Sequence, residues 1–222
     1  MTTRDKNNET NARDINRVWL RGEVIEPITI SHTLGDRTFW KTKISCTRMS
    51  GIKDIIPVIT SKKSEISVGD TVSLNGEMRI HAHQEDGTYK RRRYVYAYTL
   101  YRAKKEDHRD IITIEGVVTR EPAYRVTPKG REITDLMVRS RGNNIPCICW
   151  WNNAKKAQDL AVGSKVRVRG AIQSRDYTKK TANHIDVLQI IEVSVRTLDI
   201  LPEEESEDIP SSGPVISAPD GE

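Results

Sequence analysis

Phenylalanine is almost missing from this chain. Phe39 is the single one among 222 residues, and Phe, Trp and Tyr together make up 5%. With 36% hydrophobic and 30% charged residues, the composition is lean for one large core and suits two small domains with much exposed surface. No run of about 18 apolar residues occurs, so no helical membrane span is expected. The opening stretch "MTTRDKNNETNARD" has no apolar core of the kind a secretory signal needs, and a cytoplasmic protein is expected. The three cysteines, Cys46, Cys147 and Cys149, are odd in number and none stands in a Cys-x-x-Cys pair, which excludes a disulfide framework and a zinc pair. Cys147 and Cys149 alternate within "NIPCICW" as core-facing strand residues do. His81 and His83 could share a metal on one strand face, but no carboxylate or thiolate stands at ligand spacing, so no metal and no other cofactor is expected. A Gly-rich phosphate loop, a nucleophile elbow and a matched carboxylate pair are all absent, and no enzyme is expected.

What the chain does have is charge, unevenly placed. From Leu201 to Glu222 there are seven acidic residues and no Lys or Arg. Set against the formal net charge of +5, that tail leaves +12 on the first 200 residues. A basic body with an acidic tail points to a polyanionic partner. The tail, rich in Glu, Ser, Pro and Gly and without aromatics, is expected to be disordered from residue 199 to 222, as is the polar stretch 1–13.

The chain also repeats itself. "LRGEVIEP" (Leu20–Pro27) matches "IEGVVTREP" (Ile114–Pro122), and "DIIPVI" (Asp54–Ile59) matches "NNIPCI" (Asn143–Ile148). "VGDTVSLNGEM" (Val68–Met78) aligns without a gap to "VGSKVRVRGAI" (Val162–Ile172). A period of about ninety residues means two copies of a domain, expected at 14–104 and 108–198, rather than a solenoid. Each copy reads as five strands. The first are Val18–Ile25 and Ile112–Val118, each with an interior glycine (Gly22, Gly116) of the kind that marks a bulge or bend. Phe39–Thr47 and Ile133–Arg139 follow, then Ile55–Thr60 and Ile145–Trp151. The fourth strands are Thr71–Ile80 and Lys165–Ser174, and the fifth are Arg93–Arg102 and His184–Val195. A short helix is expected between the third and fourth strands of each copy, at Asn152–Leu160 in the second. This is the order of the OB fold, so the expected class is mainly all-β, two tandem five-stranded barrels.

"YRVTPKGREITD" (Tyr124–Asp135), "NIPCICWWNNA" (Asn144–Ala154) and "GAIQSRDY" (Gly170–Tyr177) resemble the tandem-OB single-stranded DNA-binding proteins of Gram-positive bacteria and their mobile elements. "FWKTKISCTRMSGIKDIIPV" (Phe39–Val58) resembles the same family, and the likeness extends over residues 16–197. It implies sequence-tolerant binding of single-stranded DNA in replication, recombination or repair, without catalysis, in a bacterial, nucleoid-associated setting. It also implies replication or repair proteins as partners of the acidic tail. Single-OB relatives assemble four barrels, so two barrels per chain imply a homodimer. The chain departs from the family pattern at Trp151-Asn152, where members tend to have Gly-Arg. Its "EDIP" (Glu207–Pro210) is internal, and no phenylalanine follows it.

Single strands are held by cations along the backbone and aromatic faces for the bases. Alternation groups Phe39, Lys41 and Lys43 opposite Trp40, Thr42 and Ile44. In "TYKRRRYVYAYTLYR", Lys90–Arg93 runs into Tyr94, Tyr96 and Tyr98 on one strand face, with the basic run at a solvated hairpin tip. The expected contacts in the first copy are Phe39, Lys41, Lys43, Arg48, Arg79, Arg91, Arg92, Tyr94 and Tyr96. In the second they are Tyr124, Arg125, Arg131, Arg139, Trp150, Arg175 and Tyr177. Tyr124, Arg125 and Arg131 lie in a loop that OB folds use for ligands, and Trp150 falls where the family has a stacking aromatic. Aromatic and basic residues are thus expected at the same elements of both copies. Trp19 suits a subunit interface as well as DNA. RNA binding and a protein-only adaptor of a replication or conjugation complex are the alternatives.

Deleting residues 203–222 is expected to leave the melting temperature unchanged, since no core strand is lost. It should tighten single-stranded DNA binding at low salt by removing a competing polyanion. Titrating a labelled oligonucleotide against the full-length and truncated chains at two salt concentrations checks both points.

Overall fold

The structure, a computed structural model, describes residues 14–85, 88–104, 107–181 and 184–202. The stretch 1–13 and the tail from residue 203 lie outside the described residues, as do the side chains of 82–90 and 177–188. The first half forms β1 (Asn16–Val24), β2 (Thr29–Leu34), β3 (Arg37–Thr47), β4 (Lys53–Thr60), β5 (Thr71–Glu85) and β6 (Thr88–Arg102). The second forms β7 (Arg109–Val118), β8 (Ala123–Val126), β9 (Glu132–Ser140), β10 (Asn143–Trp150), α1 (Asn152–Gln158), β11 (Lys165–Thr181) and β12 (His184–Ile200).

Each half closes on itself. The first runs β3-β4-β6-β5-β1 and returns from β1 to β3, with β4 and β6 parallel. The second runs β9-β10-β12-β11-β7 and returns from β7 to β9, with β10 and β12 parallel. Both are five-stranded OB barrels, with β2 and β8 added at the edges of β3 and β9. Alternation buries the same positions twice: Val18, Leu20, Val72, Leu74 and Met78 in one barrel answer Ile112, Ile114, Val166, Val168 and Ile172 in the other, all at 0% exposure. Burying each such side chain contributes about 1.5–3 kcal/mol.

The glycines of the first strands mark where each strand changes partner. One edge of β1 pairs with β7 over Asn16–Arg21 and with β3 at Glu23 and Val24. Gly22 sits at the switch, and a Cβ there would run into the carbonyl oxygen of Ser45. Gly116 on β7 stands in the same relation to the carbonyl oxygen of Arg139. Strand β1 therefore leaves its own barrel to pair with β7. In that ladder Val18 lies opposite Ile112, and these are equivalent residues of the two copies. A pseudo-twofold axis thus passes between them, and the contact is self-complementary, as in a symmetric dimer.

Three features differ from the sequence expectation. No helix forms between β4 and β5: residues 61–70 are four fewer than the 151–164 link that carries α1, which packs through the buried Ala154 and Ala157. Strands β5 and β6 stay paired as far as Glu85 and Thr88, so Arg91 and Arg92 lie along a two-stranded arm, opposite Ala82 and His81, and not at its tip. A ladder beyond the barrel has no core to face, so its residues show no apolar alternation. Tyr124 and Arg125 belong to strand β8, exposed along its whole length, rather than to a loop.

Two polar brackets, related by the pseudo-twofold, tie the barrels together. In one, the Asn16 amide accepts from the Met78 N–H (3.0 Å) and donates to its carbonyl (2.8 Å), while Asn143 Oδ1 accepts from the Ile80 N–H across the barrels (3.0 Å). In the other, Asp110 and Asp54 take the places of Asn16 and Asn143. Asp110 Oδ1 accepts from the Ile172 N–H (2.9 Å) and Asp54 Oδ1 from the Ser174 N–H (2.7 Å). Arg48 holds Asp54 through two bonds of 2.6 Å. Burial, reinforced by the charge of Asp54, pushes the Asp110 carboxyl up to about 7 against the bonds and cations that favour its ionisation.

A carboxyl raised in the fold stabilises fully below its unfolded pKa, about 4, and loses that contribution as pH rises through about 7. Stability is therefore expected to decline from pH 4 to pH 8 through this group. Asp110→Asn, which installs the first barrel's amide, should flatten that slope and exceed the wild type at pH 8. Denaturant unfolding across that range measures it.

Candidate nucleic-acid interface

The outer face of β3, β4 and β6 carries a run of rings. Register places Lys41 beside Ile59 and Ile59 beside Tyr96, so β3 and β6 present side chains to one surface across β4. Val95 and Ala97 are in the core, and Tyr94, Tyr96 and Tyr98 face away from it. His32 stacks on Phe39 at 4.5 Å, Phe39 lies 6.4 Å from Tyr96, and Tyr96 meets Tyr98 edge-on at 5.5 Å. The Arg79 guanidinium sits 3.8 Å above the Tyr96 ring, close enough for a cation–π contact, and Glu77 fixes it through a 2.6 Å bond. Burial by itself would raise the Glu77 carboxyl, but Tyr98, Arg79 and Arg141 together hold it below the ordinary range. Arg141 comes from the other barrel, 3.2 Å from Glu77 Oε2. Phe39, Tyr94, Tyr96 and Arg79 are thus brought together with exposed Lys41. Lys43 pairs with Glu26 at 2.8 Å, and Arg91 and Arg92 extend the face along the arm.

The second barrel does not repeat this surface. The register shared by β3–β4 and β9–β10 puts Ile133, Asp135 and Met137 where the first barrel has Phe39, Lys41 and Lys43. Glu192, Ser194 and Arg196 on β12 take the places of Tyr94, Tyr96 and Tyr98. The expectation of aromatic and basic residues at the same elements in both copies therefore fails on this face, where Ile133 and Glu192 are buried and the exposed or partly exposed Asp135, Met137, Ser194 and Arg196 are not held to the pattern that keeps the cores alike. Basic groups cluster elsewhere. Tyr124 and Arg125 are exposed on β8, with Arg125 bound to Asp135 at 3.1 Å. Arg131 is exposed in the turn that follows β8, and Arg139 is exposed on β9. Arg175 pairs with Glu192 at 3.0 Å. Tyr177 lies on β11, its side chain outside the described residues.

Arg48 reaches from the β3–β4 turn to the second barrel. With Arg131, Trp150, Trp151, Gln173 and Ser194 it lines a cavity of about 440 Å³. Trp150 is half-buried there, and Trp151 is 54% exposed. The backbone of Trp151 (φ 52°, ψ −121°) is one that a bulky residue adopts at a cost of about 1–3 kcal/mol. Sequence reading did not place Trp151 among the site residues, since period and charge say nothing of backbone strain. Its one signal was the departure from a Gly-Arg pair. His32 was also missed, because β2 has no buried face to give it a period. The three cysteines are buried and burial pushes their thiols up, Cys149 to about 12, which keeps them protonated.

Residues 110–198 match the family described as the single-strand binding protein family. Over 100 residues the chain is 27% identical to "Single-stranded DNA-binding protein 2" of Listeria innocua, a match covering 40% of this chain and 63% of that relative's length. The wild-type single-stranded DNA-binding protein of Thermus aquaticus has a similar structure, with a TM-score of 0.70 at 18% identity over 88% of this chain and 97% of that one. A deletion and substitution mutant of the same protein gives 0.69 at 19% identity, covering 89% and 99%. At such identities the likeness establishes the fold.

Proposed function

We propose that this chain, whose residues 110–198 match the single-strand binding protein family, binds single-stranded DNA with little regard to base sequence and without catalysis. One observation carries the reading: the continuous run His32–Phe39–Tyr96–Tyr98, with a guanidinium on Tyr96 and cations along the adjoining arm. Every base has a π face, so such a platform accepts any sequence, while the cations neutralise the phosphates. The working units are residues 14–104 and 108–198. Replication, recombination or repair in a bacterial cytoplasm is the setting that suits such a protein, with protein partners reaching it through the acidic tail.

A homodimer suits the chain as well. Strands β6-β5-β1-β7-β11-β12 form one continuous sheet, and on its outer face Trp19 lies beside Ile111, which is 39% exposed. Arg109 and Arg21 flank the Trp19 ring at 5.1 and 5.9 Å. Light scattering should give twice the chain mass, reduced to one chain by Trp19→Asp. An unchanged mass in the variant assigns the contact elsewhere.

Arginines and tyrosines on the first barrel should fail differently. Replacing Arg91 and Arg92 by Ala should weaken binding for every oligonucleotide and reduce the slope of log K against log salt by about 0.7 per lost contact. Tyr96→Leu should cost about 1–3 kcal/mol of binding with the slope nearly unchanged. Val95→Ala, in the core, should lower the melting temperature and spare affinity. Affinity and thermal stability measured together on the three variants separate a DNA-binding role from a structural one. Loss of affinity in Tyr96→Leu that merely follows unfolding would sink the reading.

A further inference from the structure

The two barrels differ at one equivalent spot on their outer faces. In the first, the Tyr96 ring fills the centre, between Phe39 and the Arg79 guanidinium. In the second, the equivalent residues are Ser194 and Gln173, as the matching pairs Gly76–Ala97 and Gly170–Val195 fix by register. Where a ring is replaced by a hydroxymethyl group, space opens. The 440 Å³ cavity lies there, with Trp150 and Trp151 on its wall and Arg48 and Arg131 at its rim.

Trp151 is the unusual part of that wall. Its positive φ belongs to a region that glycine enters freely and an L side chain rarely enters. The strain is imposed from both sides: the Trp151 N–H donates to the Glu132 carbonyl at 3.1 Å, and the Trp151 carbonyl accepts from the Lys155 N–H at 3.1 Å. A core residue would recover such a cost through burial, yet more than half of this side chain is exposed. A large exposed indole held in a strained backbone marks a residue kept for what it touches from outside.

We infer that this cavity is a slot for one unstacked nucleobase of the bound strand, taken face-on by Trp151, with Gln173 and Ser194 against its edge. The inference rests on the single-stranded DNA-binding reading. A glutamine amide both donates and accepts, and a serine hydroxyl does the same, so the slot can satisfy the edge of any base. Arg48 and Arg131 meet the flanking phosphates as fixed or exposed guanidinium groups. Because Arg48 belongs to the first barrel and its ion-pair partner Asp54 bonds the Ser174 N–H of the second, the slot is complete only when the barrels are docked. The first barrel thus offers a platform and the second a pocket.

Two full-length variants test this against labelled oligo(dT), with fluorescence anisotropy, intrinsic tryptophan quenching and melting temperature read together. Trp151→Gly should bind about tenfold more weakly or worse while melting no lower than the wild type, because glycine relieves the strain. Ser194→Tyr, which refills the slot with the first barrel's ring, should weaken binding similarly and reduce the quenching. If wild type binds and both variants bind equally well, the slot is overturned and the broader function stands. If wild type does not bind, both fall. A Trp151→Gly protein that loses affinity only through a lower melting temperature makes Trp151 structural, and one whose mass halves places it between copies. Either result overturns the slot.

Discussion

Both outer faces depend on the antiparallel pairing of β1 with β7. Each first strand parts from its own barrel at a glycine, leaving backbone donors and acceptors that an isolated barrel would expose as an open edge. The two edges satisfy one another. Because Val18 meets its own equivalent, Ile112, the pairing also fixes a pseudo-twofold relation between the barrels. That relation sends the Arg48 turn of the first barrel onto the face of the second, and the Arg141 turn of the second onto the face of the first.

Within that symmetric frame the two copies have diverged where the frame is indifferent. Core positions accept only apolar exchanges of similar size, such as Leu20 for Ile114 or Met78 for Ile172, since a buried polar group or a void costs stability. Outer positions carry no such constraint. There Tyr96 is exchanged for Ser194, Arg79 for Gln173 and Lys41 for Asp135. One barrel presents a run of packed rings; the other presents a cavity bounded by two indoles.

The brackets at the seam show the same divergence in a buried place. Asn16 and Asn143 serve one side as neutral amides, and Asp110 and Asp54 serve the other by accepting from the equivalent backbone N–H groups. The cost of placing two carboxyl groups near each other falls on Asp110, whose proton affinity rises. Asp54 is compensated by the bidentate Arg48.

The amino-acid sequence alone determined the two barrels, their strand order and the outward Tyr94–Tyr98 stripe, because each rests on a local rule: period-2 alternation, a gapless internal repeat, glycines at strand switches. It also brought out the basic body, since charge needs no coordinates to be counted. Only the tertiary structure decided that His32, Phe39 and Tyr96 form one run, because they lie on three strands brought side by side by barrel closure. Only it placed Arg48 beside Trp150 and Trp151 from the opposite barrel, through the β1–β7 pairing of strands far apart in the chain. The strain at Trp151 belongs there too: a backbone angle imposed by Glu132 and by the start of α1 leaves no mark in residue type or spacing.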